Sequence, residues 1–234
     1  MKLRTPRLLL EPVTLADVDD WTELDRQPGV LDHLPGSPRS REEKADAIRR
    51  CLAISQLHHD YGFLTARSVS HGTFVGWFHL RPGPEGDIFN PELGYRLRPD
   101  FWGKGLATEG SEALLEAAFA QLGAASVVAE TRRENLASRR VMTKLGMGLV
   151  GDGAADVVHY RVTMPEWLDG FVDVRTRLHG LQATALKAAD REQLERLRAV
   201  GMAMAKAESD GAHASSSLVA ALAAEHGIDT ASAS

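Results

Sequence analysis

The chain reads as an α/β protein of the α+β kind: a mixed, mostly antiparallel central sheet flanked by helices, followed by a helical C-terminal extension. Three observations predict this. Residues 63–97 hold three short apolar runs separated by turn sequences, the pattern of an antiparallel meander. A glycine-rich turn at 102–108 then opens a long helical period, and a short run at 127–130 follows it, so that this strand lies parallel to the one before the helix. From Trp167 on the composition shifts to Ala, Leu, Arg and Glu, with Leu178, Leu181, Ala185, Leu194, Leu197 and Val200 in a rough helical stripe.

Taken in order, residues 8–10 after Pro6 predict a first strand ended by Pro12. Thr14 and Asp17 have capping-box character and open a helix carrying Leu15, Val18, Trp21 and Leu24 on one face. Residues 28–39, with three prolines and two glycines, form a loop. Ser40 and Glu43 make a second capping box, for a helix to about residue 59 whose apolar side is Ala47, Ile48, Cys51, Leu52, Ile54 and Leu57. Strands at 63–68 and 73–80 meet in a hairpin at Ser70-His71-Gly72, and a third strand within 88–97 alternates Leu93, Tyr95 and Leu97 against Gly94 and Arg96. The helix over 108–122 buries Ser111, Leu114, Leu115, Ala118, Phe119 and Leu122 and ends at Gly123. A helix over 135–145 turns Ser138, Val141, Met142 and Leu145 inward and Arg139, Arg140 and Lys144 outward, with Gly146 just past its end. Strands at 149–150 and 157–164 close a domain spanning 1–168. Residues 169–206 form the helical extension, and 207–234 a small, polar tail with one short helix at 218–225, the rest disordered in expectation.

Composition narrows the class. With 44% hydrophobic and 25% charged residues, the 234-residue chain can bury a real core. A net charge of −5 argues against a nucleic-acid partner. One cysteine, Cys51, excludes an internal disulfide and a cysteine-based metal site, and its helical setting suits a small apolar residue better than a nucleophile. No basic-then-apolar leader and no membrane-length apolar run is present, so the expectation is a cytoplasmic protein without a membrane partner or a metal.

The chemistry centres on residues 100–109, D-F-W-G-K-G-L-A-T-E. Glycines let the backbone turn so that successive N–H groups face one point, and a helix start adds unpaired donors and a positive dipole end. Such a place holds phosphates. It is not a nucleotide P-loop, because Lys104 precedes Gly105 instead of following the last glycine. A dinucleotide turn fits poorly as well, since about five residues separate Leu97 from the glycines and the preceding strands read as antiparallel.

Taken together, E-L-G-Y-R-L-R-P (92–99), W-G-K-G-L-A-T-E (102–109) and N-L-A-S-R-R-V-M-T-K-L-G-M (135–147) resemble the GCN5-related N-acetyltransferase (GNAT) family, especially its branch that acetylates ribosomal-protein N-termini. The resemblance covers roughly residues 3–168 and rests on the joint spacing of the two motifs. It implies an acetyl-CoA-dependent N-acetyltransferase whose two central strands, 93–97 and 127–130, splay apart to admit the pantetheine arm. The family's pyrophosphate signature falls on Trp102, Gly103, Lys104, Gly105, Leu106 and Ala107, with Thr108 at the helix start and the backbone of Leu97 and Arg98 along the pantetheine. Trp102 departs from the usual Gln or Arg, and since backbone amides bind, the change matters little in expectation. Lys104 adds a charge at the rim or is merely solvated.

Further roles follow from the same resemblance. Asn135 matches an Asn that bonds the pantetheine region, and it can equally cap its helix. Ser138 can approach the coenzyme sulfur as a proton donor to the leaving thiolate, or serve only as a small packing residue. Glu92 stands where several members keep a general base, and the plainer alternative is a solvated carboxylate. Glu109 reads as structural. Many relatives carry a tyrosine acid where Met142 stands here, and the spacing of Tyr95 and Tyr160 places neither at the sulfur, leaving Ser138 or water as donor. The expectation is direct transfer in a ternary complex with no acyl-enzyme. The acceptor enters past the loop at 28–39, where Asp32 and His33 read as ordinary loop residues. It is a protein N-terminal amine, or a polyamine, amino acid or antibiotic, because a fold does not choose a substrate. From another class, a non-catalytic acyl-CoA-binding regulator stays open. The C-terminal helices could support a homodimer or bind a partner.

Overall fold

The computed structural model describes residues 1–34, 36–58, 61–153, 156–167 and 169. The predicted extension beyond Asp169 and the tail at 207–234 lie outside the described residues. Eight strands form one sheet: β1 (Leu3–Arg4), β2 (Leu8–Pro12), β3 (Gly62–Ser68), β4 (Phe74–Arg81), β5 (Glu92–Leu97), β6 (Ser126–Arg132), β7 (Gly148–Asp152) and β8 (Val157–Thr163), in the order β1-β2-β3-β4-β5-β6-β8-β7. Every neighbouring pair is antiparallel except β5 with β6, which the crossover helix makes parallel. The helices are α1 (Val18–Arg26), α2 (Arg41–Leu57), α3 (Leu106–Ala120) and α4 (Leu136–Lys144). None of the described helices is long and apolar enough to cross a membrane.

The sheet has a core on each face. α3 and α4 cover one face, over Leu64, Val75, Phe78, Leu80, Leu93 and Val127; α1 and α2 cover the other, where Trp21, Leu24 and Ile48 meet Phe63, Phe74 and Trp77. A register shift in β4, where Ala66 faces Gly76 and Arg67 faces Phe74, lets Phe74 and Trp77 share a face while Val75 and Phe78 share the other. Gly110 of α3 meets the Phe78 ring where a Cβ would stand, so this glycine lets the helix approach the sheet.

Two faces differ from the periodicity. Leu15 is 46% exposed because residues Leu15–Asp17 form a separate 3₁₀ turn, whose phase is not that of α1; the Thr14 N–H donates to Asp17 Oδ2 at 2.8 Å. In α2 the capping box forms as expected, the Glu43 N–H donating to Ser40 Oγ at 3.2 Å and the Ser40 N–H to Glu43 Oε2 at 2.7 Å. Yet α2 buries Ile48 and Lys44, while Leu57 is 77% exposed. The physical reason is Asp25 of α1, which accepts from Lys44 Nζ and from Arg96 Nη1 in a buried cluster. A paired lysine can lie where an unpaired one could not.

Candidate active site

β5 and β6 are joined at their starts and open beyond. Glu92 faces Val128, and the Val128 N–H donates to Pro91 O at 2.9 Å; from Leu93 onward no register pair joins the two strands. β5 continues against β4 as far as Leu97, and β6 against β8 as far as Arg132. Two strand edges therefore face each other across a wedge, offering backbone donors and acceptors to an amide-bearing chain laid between them.

The wide end meets the glycine-rich turn. Gly103 and Gly105 have φ of +69° and +77°, and α3 starts at Leu106. A Cβ at Gly103 would touch nothing within 4 Å, so the glycine serves the left-handed backbone, not close packing. Leu106, Ala107 and Thr108 are the first three residues of α3, whose N–H groups have no intrahelical acceptor. Among the described residues, no loop hydrogen bond uses the N–H of Gly103, Lys104 or Gly105. Lys104 Nζ lies 5.6 Å from the Phe101 ring centre. This run of free amides at a helix start fits a pyrophosphate.

Arg7, which sequence reasoning missed, holds the turn from below. Its Nη1 donates to Lys104 O at 2.9 Å, its Nε to Glu109 Oε2 at 2.5 Å and its N–H to Glu109 Oε1 at 2.9 Å. Thr5 Oγ1 adds a bond to Glu109 Oε1 at 2.5 Å. Burial would raise the Glu109 carboxyl, but Thr5 and Arg7 outweigh it and hold it below the ordinary glutamate range. Glu109 thus ties the turn to the β1–β2 corner. Trp102 is engaged as well: its Nε1 donates to Leu97 O at 2.8 Å, and its ring lies against Gly29. The Arg98 N–H donates to Val75 O at 2.9 Å. His33 Nδ1 stands 3.4 Å from Glu134 Oε1, so the loop after α1 reaches from the end of β5 to the turn after β6, across the mouth of the wedge.

On the α4 side Asn135 caps the helix, its Oδ1 accepting from the Ser138 N–H at 3.0 Å. Tyr95, for which spacing offered no partner on the later helix, has one here. Tyr95 Oη lies 3.1 Å from Ser138 Oγ, joining β5 to α4 across the opening. The opening brings together two residues 43 positions apart, which spacing alone cannot do. Burial pushes the Tyr95 phenol up, only partly offset by Ser138, so it stays protonated and able to donate. Tyr160 Oη instead accepts from Arg139 Nε at 3.0 Å, and Met142 is buried in the core at 3% exposure.

Glu92 sits on the opposite face, at the closed end of the wedge. Arg81 Nη2 donates to both its oxygens at 2.9 Å, and His79 Nε2 approaches Oε1 at 3.4 Å, an ion-pair distance without hydrogen-bond geometry. Burial would raise the Glu92 carboxyl, yet His79 and Arg81 hold it below its ordinary value. Burial is the main cause that pushes the His79 imidazole below its ordinary value, with Arg81 and Arg96 adding to it and Glu92 opposing it. Arg81 and His79 are further residues that sequence reasoning passed over; the only signal was their place on β4 opposite Glu92 and Gly94. A Cβ on Gly94 would enter the His79 ring.

Beyond Glu92 a cavity of about 300 Å³ opens between α2 and the sheet, lined by Trp21, Phe63 and Trp77 and by Arg39, Arg50, Arg81 and Arg96 among others. Cys51 borders it, and burial pushes its thiol up to about 11, which leaves it protonated and a poor nucleophile. Among the described residues no cluster of His, Cys, Asp and Glu could hold a metal ion.

Comparison with known proteins places this geometry. Residues 7–148 match the model of the acetyltransferase (GNAT) domain. The chain is 32% identical over 185 residues to the FsC-acetyl coenzyme A-N(2)-transacetylase of Aspergillus fumigatus, covering 71% of this chain and 77% of that one. A GnaT-family acetyltransferase from Bordetella pertussis superposes with a TM-score of 0.60 at 26% identity, over 69% of this chain and 98% of that one. RimL, a ribosomal L7/L12 alpha-N-protein acetyltransferase solved with coenzyme A, shares the fold with a TM-score of 0.62 at 18% identity, over 70% of this chain and 98% of that one.

Proposed function

Because this chain belongs to the GNAT acetyltransferase family and transfers an acetyl group from acetyl-CoA, we propose that it acetylates an α-type primary amine by direct transfer within a ternary complex. The observation that carries this is the wedge between β5 and β6, with a free-amide turn at its wide end and the Tyr95–Ser138 pair across its opening. The pyrophosphate would rest on the amides of residues 103–108, with Lys104 at the rim, and the pantetheine would lie along β5 toward Asn135 and Ser138. The side chain of Glu92 lies on the other face, beside Arg81, so donor and acceptor would approach from opposite sides of one strand.

In this mechanism the neutral amine attacks the thioester carbon, the tetrahedral intermediate expels the thiolate, and one proton travels from nitrogen to sulfur. The Tyr95–Ser138 pair donates to the thiolate; Glu92, held ionised beside Arg81, draws the amine proton off through water. An α-amine with a pKa near 8 is partly neutral at neutral pH, so a weak base suffices. Cys51, held protonated by burial, has no part in it. The relatives support an α-type acceptor: one is named for an N(2) nitrogen, the other for an alpha-N amine.

The test is a screen of amino acids, peptides and polyamines with acetyl-CoA, following coenzyme A release and product mass. Acetylated α-amine is expected. Tight acetyl-CoA binding with no amine-dependent release across the whole panel would instead favour an acyl-CoA-binding regulator.

A further inference from the structure

We propose that the acceptor carries a carboxylate, and that the cavity under α2 recognises it beside an apolar or aromatic body. This deepens the acetyltransferase proposal above and rests on it. Five cationic side chains line the cavity: Arg39, Lys44, Arg50, Arg81 and Arg96. Two carboxylates answer them. Asp25 is shared by Lys44 and Arg96, and Glu92 is taken by Arg81. Arg39 and Arg50 make no ion pair among the described residues; Glu43, within electrostatic range of Arg39, is engaged in the cap of α2. Arg81 and Arg96 each keep a buried Nε without a hydrogen-bond partner. Guanidinium groups in excess around a concave site, Arg39 and Arg50 exposed at its rim and Arg81 and Arg96 deeper, form a receptor for a carboxylate, which they can grip with two parallel bonds.

The rest of the lining fixes the kind of body attached. Trp21 stacks on Trp77 at 5.3 Å, Phe63 tilts against both, and Arg96 lies over Trp77 at 5.0 Å. Those faces suit a flat or branched apolar group. The placement suits the chemistry too: Arg81 and Arg96 lie on the same face as Glu92, so a carboxylate among the arginines leaves an amine of the same molecule near Glu92. A polyamine would bring like charge to like charge, which the lining rejects.

Two sources supply this chemistry: a free amino acid with its α-carboxylate, and a peptide whose second residue is acidic. The experiment compares kcat/KM for matched acceptors at fixed acetyl-CoA, setting phenylalanine against phenylalaninamide, and dipeptide amides acidic at the second position against those with the corresponding Gln or Asn. A preference of tenfold or more for the charged member of either pair supports the proposal, and the pair that responds identifies the source. The Arg39→Ala/Arg50→Ala double variant should bring that ratio toward one, while Arg39→Lys/Arg50→Lys should keep most of it, which a merely structural role would not do. Equal kcat/KM within each pair, or a preference untouched in the double alanine variant, overturns it. Should no acceptor turn over, the acetyltransferase proposal fails first. Calorimetric binding of the same pairs to the acetyl-CoA-loaded protein then decides the cavity's role, with tenfold tighter binding of the carboxylate supporting it and equal binding refuting it.

Discussion

Tyr95→Phe removes one oxygen atom and isolates the role of the pair across the wedge. The Tyr95 ring stays where Phe78 holds it, with ring centres 5.9 Å apart, so the packing is unchanged. One neutral hydrogen bond of 3.1 Å to Ser138 is lost, worth about 1 kcal/mol. Ser138 is half-buried and keeps its N–H on Asn135, so its hydroxyl can turn to water instead of being stranded. The expected stability cost is thus about 1 kcal/mol or less, a melting shift of about 2–4 °C for a domain of this size. If the pair protonates the departing thiolate, kcat should fall far more, roughly 10²-fold. Initial rates of coenzyme A release with both substrates varied would show the loss in kcat, and little change in the KM for acetyl-CoA. Because the two hydroxyls act on one proton, the double variant Tyr95→Phe/Ser138→Ala should be scarcely slower than the worse single one. A Tyr95→Phe enzyme within threefold of the parent kcat would refute proton donation by this pair, and independent losses that multiply would show that the two hydroxyls do separate jobs.

Two further outcomes are expected. Arg81→Met removes the cation on both Glu92 oxygens, so the Glu92 carboxyl should rise; being depressed when paired, it is ionised down to below its ordinary value in the parent, and the acid limb of the pH–kcat/KM profile should move to higher pH in the variant. An unmoved acid limb would remove Glu92 from the rate. Arg7→Met cuts the bond to Lys104 O and one side of the Glu109 clamp without touching the wedge, so the KM for acetyl-CoA should rise about tenfold with kcat nearly kept; a fall in kcat alone would show that the clamp does not act through the amide turn.

What could be read ahead of the structure was local. α3 and α4 carry their apolar positions at helical spacing, with ends read from Thr108 and Gly123 for one and Asn135 and Gly146 for the other, so both were legible to within two residues; α3 starts at Leu106, two residues ahead of Thr108, directly on Gly105. The hairpin at Ser70-His71-Gly72 declared itself through turn chemistry. The shape of the glycine-rich turn was legible, two left-handed glycines leading into a helix start, because backbone follows from glycine. What escaped was everything made by distant partners. Glu109 finds Arg7 102 positions away, Tyr95 finds Ser138 only because two strands part, and Lys44 turns inward only because Asp25 waits there. An apolar stripe can be counted along the chain; a buried charge takes its side from a partner the stripe does not contain.

β5 gathers these strands of argument, since its pleat assigns neighbouring residues to opposite chemistries. Leu93, Tyr95 and Leu97 face α3 and α4, with Tyr95 reaching Ser138; Glu92, Gly94 and Arg96 face α1 and α2, with Glu92 on Arg81 and Arg96 on Asp25. A slip of one residue against β4 would exchange the proposed proton donor for the acidic and cationic groups and leave neither side workable. The register is therefore defended on both faces: Leu93 and Leu97 are sunk in one core, and on the other the His79 ring lies where only a glycine at 94 leaves room. The parallel pairing to β6 stops after Glu92, so beyond it β5 pairs with β4 alone and leaves its other edge free, where the proposal lays the coenzyme. The proposed catalytic geometry depends on a strand that beyond Glu92 is paired on one edge only, and on the single glycine in it that lets both of its faces be used.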